Sequence, residues 1–345
     1  MEIDHTVARR LSLRVVHGPA FEALLSLGLA GGEMPLGQYT DGEALKLRYE
    51  RLPERLRGLI KTVDSGFAFN WTDIIGFLSE GDAPQTLPEA VDRIARMEPV
   101  DLKLAMLGYH VVGYRKVVGE DLFREAAHAG AAAVKKFRLR AKRHGRGGGP
   151  LVSLPPDLVA GRTIEILRSL PTEFYLPDAR AAGSLRASAE SACELAQTLA
   201  AEAVVERLTR GIVFSGEPGI SDLLLIPNLV SRPWSLVLEH EATKIFSYPI
   251  RVPQDPDRPQ PELVELYRAL GDETRLRLLK RLRKGQTSFG RLSRELRLAK
   301  STLHHHVVVL RNAGLVQIHL ADETGPVISP ELPALDRLLK DYLDS

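Results

Sequence analysis

With 345 residues, 44% of them hydrophobic and 26% charged, the chain has the composition of a globular protein long enough for two or three domains. No run approaches the roughly eighteen apolar residues that cross a bilayer, the opening MEIDHTVARR lacks the apolar stretch of a secretory leader, and one cysteine builds neither a disulfide framework nor a thiolate metal cage. The formal net charge is only +2, so a polyanion partner must be sought in the distribution of charge, and the cytoplasm is the expected location.

In chain order, ARRLSLRVV alternates Leu11, Leu13 and Val15 with Arg10, Ser12 and Arg14, the period of a strand. Helical spacing follows in GPAFEALLSLGLA, in PEAVDRIARM and in the long stretch from Asp101 to Arg143. GRGGGP, residues 145–150, ends that pattern, because consecutive glycines lose the most backbone entropy in a helix and proline cannot continue one. It reads as a linker or loop and marks a candidate sub-boundary; a phosphate-binding loop would need a preceding strand and a following Lys-Ser/Thr pair. Just before it, KKFRLRAKRHGR gathers Lys135, Lys136, Arg138, Arg140, Lys142, Arg143 and Arg146. This is either a solvated basic helix end or an auxiliary contact with nucleic-acid phosphates.

An uninterrupted helix is expected from Leu185 to Leu208, with Cys193 as a small core residue, and FSGEPGIS reads as turns. DLLLIPNL, WSLVLEHE and TKIFSYPI then suggest a small antiparallel sheet that the N-terminal strand can join. Alternation along EHE puts Glu239 and Glu241 on one face and His240 on the other, so the three cannot converge on one metal ion. Trp71, Trp234, Tyr109, Phe214 and Tyr248 either line an apolar pocket or fill the core. VPQDPDRPQPE, residues 252–262, holds four prolines and suits a semi-rigid spacer at a domain boundary.

After the spacer the charge becomes lopsided. Arg268 to Arg311 carries twelve Lys or Arg against three acids, and Asn312 to Ser345 carries two basic residues against six acids. A positive field confined to one stretch is what a polyanion-binding surface requires. VELYRAL is a short amphipathic helix; Asp272 caps ETRLRLLKRL, with Leu276, Leu279 and Leu282 as its stripe and Gly285 ending it; Thr287 or Ser288 caps SFGRLSREL. The next helix starts near Lys300 and faces the core through Leu303, Val307 and Leu310, with Ser301, Thr302, His304 and His305 opposite. NAGLVQIHL supplies a helix stop and a strand, ADETG a turn, PVIS a returning strand, and ELPALDRLLKDYL a last helix. Adjacent helix residues point about 100° apart, so the His304–His305–His306 triplet cannot chelate one ion.

RALGDETRLRLLKRL followed by FGRLSRELRLAKSTLHHHVVVLRNAGLV resembles the winged helix-turn-helix of the ArsR/SmtB family of bacterial transcriptional regulators. The resemblance implies that the helix from Lys300 is the recognition helix, that the domain pairs as a two-fold dimer, and that an effector switches DNA affinity. Carried onto matching positions, Lys300, Ser301, Thr302, His304 and His305 face the major groove, with Thr287 joining them as a DNA-binding candidate and His306 structural. The family's metal sites use cysteines or acid and histidine ligands that SFGRLSREL and ELPALDRLLKDYL do not offer, so neither metal nor cofactor is expected. Ala299 is a poor cap for the recognition helix, and Asp322 and Glu323 at the wing tip would be repelled by phosphates. DLLLIPNLVSRPWSLV resembles the N-terminal extension of unassigned function that long members of the family carry.

The fold class expected is therefore α+β and mainly helical: a larger helical region with a small antiparallel sheet over residues 1–251, a linker over 252–262, and a winged helix-turn-helix over 263–345. The function expected is that of a homodimeric regulator, a repressor by family habit, reading a pseudo-palindromic operator and answering an effector in the N-terminal region. An N-terminal enzyme tethered by a winged helix, or a winged helix used to bind protein, are the other classes; no HExxH, GxSxG or Walker loop supports the enzyme. Leu263 to Leu270, and Leu335, Leu338, Leu339 and Tyr342, are candidates for dimerisation or for the domain's own core.

Overall fold

The structure, a computed structural model, describes residues 11–31, 39–64, 69–144, 146, 149–176, 178, 180–250, 261–320 and 326–330. Most of the proline-rich linker, the wing tip with Asp322 and Glu323, and the final helix with Leu335, Leu338, Leu339 and Tyr342 lie outside the described residues. The chain divides into two compact units, Met1–Ser191 with Ile220–Ile250, and Ala192–Gly219 with Arg251–Ser345. Each unit is thus assembled from two separate stretches of chain, whereas the sequence suggested continuous regions parted at the linker, with a candidate sub-boundary at 145–150.

The first unit begins with β1 (Ser12–Val15), where exposed and half-buried residues alternate as the sequence indicated. α1 (Pro19–Gly31) is apolar on all sides and buried from Ala20 to Leu29. It takes Glu22 into the core with it, where the carboxyl group accepts the Leu229 N–H at 3.1 Å from each oxygen. α2 (Gly42–Glu50), α3 (Glu54–Val63) and α4 (Phe69–Leu78) follow, then α5 (Leu87–Ala95). Thr86 caps α5 by accepting the Glu89 N–H, while Glu89 reaches back to the Gln85 N–H.

The stretch expected to be one long helical region is broken into α6 (Pro99–Met106), α7 (Val112–Val118), α8 (Glu120–Ala127) and α9 (Ala131–Arg143). The chain reverses where Gly108 and Gly119 adopt φ +85° and +96°, conformations a side chain would resist. Lys103 is wholly buried, and its ammonium donates to the carbonyls of Ala126, Val152 and Leu154, tying the end of α8 to the segment after the glycine-rich loop. Burial lowers its pKa to about 8. α10 (Pro156–Ser169) and α11 (Thr172–Tyr175) complete this layer.

The helix expected from Leu185 to Leu208 is two, α12 (Ala181–Thr198) and α13 (Ala201–Thr209), separated by an extended Ala200. Cys193 is exposed on α12, not in the core: the helical phase that buries Ala189 and Ala192 turns it outward. β2 (Ile212–Phe214) comes next and belongs with the second unit.

β3 (Asp222–Asn228), β4 (Leu236–His240) and β5 (Thr243–Pro249) return to the first unit and form a sheet in the order β1-β3-β5-β4. The expected antiparallel sheet is in fact mixed. β3 runs parallel to both β1 and β5, and only β4 and β5 are antiparallel. Flanked on both sides, β3 is buried from Leu223 to Asn228, which accounts for its unbroken apolar run.

In the second unit, α14 (Pro261–Leu270), α15 (Glu273–Leu282), β6 (Thr287–Ser288), α16 (Phe289–Leu296), α17 (Lys300–Asn312), β7 (Val316–Leu320) and β8 (Val327–Pro330) follow the expected winged-helix order. Their core gathers Leu266, Leu278, Leu282, Leu292, Leu303, Val307, Leu310 and Ile328. The stripe of α15 is Leu278, Leu279 and Leu282; Leu276, assigned inward from the sequence, is 48% exposed. The expected two-stranded wing is part of a four-stranded sheet in the order β2-β7-β8-β6. β2 lies parallel to β7, pairing Ile212 with Ile318 and Phe214 with Leu320, so the backbone edge a bare wing would leave open is covered from within the chain.

Candidate nucleic-acid interface

The helix-turn-helix is fixed by local chemistry. Asp272 caps α15 by accepting the Arg275 N–H at 2.8 Å, and that bond, with the charge of Arg275, holds its carboxyl below the usual carboxylate range. Arg275 in turn donates to the carbonyls of Ala269 and Arg268 at 2.7 Å. Asp272→Ala is expected to cost about 1 kcal/mol of the second unit's stability in denaturant melts, and Asp272→Asn much less. The contribution is present above the ordinary carboxylate pKa and is lost as pH falls through the depressed one, so the two variants converge on wild type in acid.

Ser288 caps α16 by accepting the Arg291 N–H. Thr287, the other capping candidate and, by resemblance, a candidate DNA contact, is instead a buried residue of β6 paired with Ile328, and this burial sets it apart from the exposed face of α17. α16 ends where Arg297 turns left-handed at φ +55°, and the Ser293 hydroxyl holds the turn by donating to the Leu298 carbonyl at 2.7 Å. Ala299 then starts α17 with no side-chain cap, as its sequence implied.

α17 is divided lengthwise. Leu303, Val307 and Leu310 are wholly buried, while Lys300, Ser301, Thr302 and His304 are exposed and His305 is half-buried. The His304 ring lies 5.5 Å from that of Phe289 at the head of α16. Loss of water on that side, followed by the charges of Arg311 and His305, lowers the His304 pKa. At neutral pH it presents a neutral imidazole with one donor and one acceptor nitrogen, a pair suited to base edges. His306 is half-buried, with its Nδ1 3.9 Å from Asp272 Oδ1 at the α15 cap.

The basic stretch divides as well. Arg281 and Arg291 both hold Glu295, whose pKa falls to about 2 on account of those two hydrogen bonds. Arg275 is committed to backbone carbonyls, and Arg311 is buried, its pKa lowered to about 10 first by burial and then by Arg210. Arg277, Lys280, Arg283, Lys284, Arg294, Arg297 and Lys300 are exposed. The charge available to phosphates is therefore smaller than the sequence count, yet still predominantly positive, with Glu273 an exposed acid beside these cations.

Sequence reading missed the part played by residues 201–214. Arg210 takes a left-handed backbone and donates to Glu265 and to the Asn312 carbonyl, both at 3.2 Å, while Gln317 donates to Glu206 at 2.7 Å. The only signal was IVF, three β-favouring residues ahead of a turn. In the first unit Glu239 accepts the Val112 N–H, Glu241 is gripped by Arg115 and His110, and His240 bonds Glu80. Among the described residues no group of three or more His, Cys, Asp or Glu is placed to hold a metal ion. Trp71, Trp234 and Tyr248 are buried and Tyr109 is half-buried in the first unit, and Phe214 is buried in the second.

No described helix is long and apolar enough to cross a membrane. Comparison with curated proteins and with solved structures finds no match to the chain. Residues 272–317, from the α15 cap into β7, match the model of the bacterial regulatory protein, arsR family. The chain thus carries, behind a larger N-terminal region of unassigned function, an ArsR-type winged helix-turn-helix of the kind that binds DNA in transcription regulation.

Proposed function

We propose that the protein is a cytoplasmic transcription regulator that binds its operator as a homodimer, with α17 in the major groove. The observation that carries this reading is the division of α17, within the matched segment, into a wholly buried apolar side and an exposed side of Lys300, Ser301, Thr302 and His304, flanked by His305. Lysine and the hydroxyls suit phosphates, and the imidazoles suit base edges. Paired reading is supported by area: one recognition helix buries too little for specific binding at physiological salt. Leu266 and Ala269 of α14 are spent on the domain's own core and Leu263 is buried, whereas Tyr267 and Leu276, each about half exposed, are apolar residues open to a partner copy. Repression relieved by an effector held in the first unit is the mode we assign, and no enzymatic role is given to the chain.

The test is footprinting with salt-titrated binding on DNA from upstream of the protein's own gene. The expected result is a protected pseudo-palindrome with half-sites one helical turn, about 34 Å, or a multiple apart. Replacing His304 and His305 together with alanine is expected to weaken specific binding roughly 10- to 100-fold while leaving binding to unrelated duplex unchanged, since each good base contact is worth about 1–3 kcal/mol. Equal loss on both kinds of DNA would mean that the histidines do not read sequence.

A further inference from the structure

Helix α9 in the first unit is unlike the other long helices of that unit. From Ala126 to Pro156 the chain has seven Lys or Arg and no Asp or Glu. α3 and α10 mix the two signs within the helix, which is how solvent-facing helices ordinarily gain small i,i+4 attractions. On α9 the pairs Lys136–Arg140 and Arg138–Lys142 are like-charged at i,i+4, each costing about 0.2–0.5 kcal/mol. The helix folds because Ala133, Val134, Phe137 and Ala141 are buried, leaving Lys135, Lys136, Arg138, Leu139, Lys142 and Arg143 outward.

Two of the arginines near this face are turned to structural use: Arg140 donates to the Val118 carbonyl and Arg146 pairs with Asp73 at 2.6 Å. Arg138 is held in place on the surface, donating to the Gly149 carbonyl at 3.0 Å and to Ser153 Oγ at 2.9 Å. Beside it lies a pocket of about 420 Å³ lined by Ala129, Ala131, Val134, Lys135, Arg138 and Ser153. An anchored guanidinium, an ammonium and a hydroxyl therefore converge where the first turn of α9 also directs its backbone N–H groups, a combination that favours a phosphate. The acids on the adjoining α8 do not cancel the field, since Glu120 is engaged by Tyr109 and Arg124, leaving Asp121 and Glu125 against the row of cations.

We propose that this face of α9, with its pocket, is a second nucleic-acid contact that grips the phosphate backbone of duplex DNA without regard to base sequence. It rests on the regulator reading only in that the protein binds duplex DNA. The exposure and regular spacing of the cations match a backbone with a charge every few ångströms.

The experiment uses the full chain and three duplexes: about 20 bp of protected sequence, the same sequence within about 60 bp, and about 60 bp of unrelated sequence. The variant combines Lys135→Gln, Lys136→Gln, Lys142→Gln and Arg143→Gln, and a control replaces the three lysines with arginine. Loss of four phosphate contacts should make the slope of log affinity against log salt shallower by about 3 to 4 on both long duplexes. The arginine control should behave as wild type. Identical slopes for wild type and variant on the long duplexes would overturn the proposal, as would tighter binding of the wild type to anionic lipid vesicles than to duplex at the same salt. If wild type does not prefer the protected sequence, the regulator reading fails, and the slopes on unrelated duplex still decide this one.

Discussion

Phe214→Ala is expected to destabilise the DNA-binding unit by about 3–5 kcal/mol, although the residue lies well before the linker and outside the segment matched to the ArsR-type domain. Its side chain is buried in β2, which is paired with β7 of the wing sheet. A cavity there removes packing from the wing sheet. Two units predict two unfolding transitions, so the variant should shift one to lower denaturant and leave the other in place. A polypeptide joining residues 192–219 through a flexible linker to residues 261–345 should then fold more stably than residues 261–345 alone. The interpretation of β2 as part of the DNA-binding unit fails if those two fragments have the same denaturation midpoint, or if Phe214→Ala moves the first unit's transition instead.

The second large effect belongs to Glu22. Burial raises its pKa to about 8, opposed only in part by the backbone N–H groups of Leu229 and Val230 and by Arg48. Its folded-state pKa is above the unfolded value, so its contribution to stability is fully present below the unfolded pKa and is lost as pH rises through about 8. A shift of that size corresponds to a loss of several kcal/mol, on the order of 1.4 kcal/mol for each pH unit between the two values. Melts of the first unit at mildly acidic and mildly alkaline pH should show this decline in wild type. Glu22→Gln, which keeps an oxygen to accept the Leu229 N–H but carries no charge, should largely abolish it and be the more stable protein at the alkaline end. A parallel decline in both proteins would place the titrating group elsewhere.

The elements legible in the sequence are those whose signals are local. The Asp272 cap, the Gly285 stop and the buried face of α17 all follow from residues within two turns of one another, and each is found where its spacing put it. α15 shows the limit of such reading. Leu276, Leu278, Leu279 and Leu282 allow more than one apolar stripe, and only the packing of α15 against α17 and β8 selects Leu278, Leu279 and Leu282. The parallel pairing of β1, β3 and β5 is equally non-local, although the apolar run of β3 hinted at burial on both faces. At the candidate interface, the exposed residues of α17 were legible from helical phase. The burial of Thr287 and Arg311 was not, because it depends on β8 and on residues 201–214, strands and turns that meet them only in three dimensions.

The interleaving of the two units limits how the chain can be divided. Residues 220–250 complete the sheet of the first unit but are reached only after β2, the first strand of the other unit's sheet, has been laid down. No single cleavage can therefore release either unit intact: a nick before Ala192 takes β3, β4 and β5 from one, and a nick in the proline-rich segment takes β2 from the other. A protease that finds that segment should yield two pieces that stay together until denatured. Exchange of the reader for another by recombination at the linker would leave behind a strand made for the lost partner.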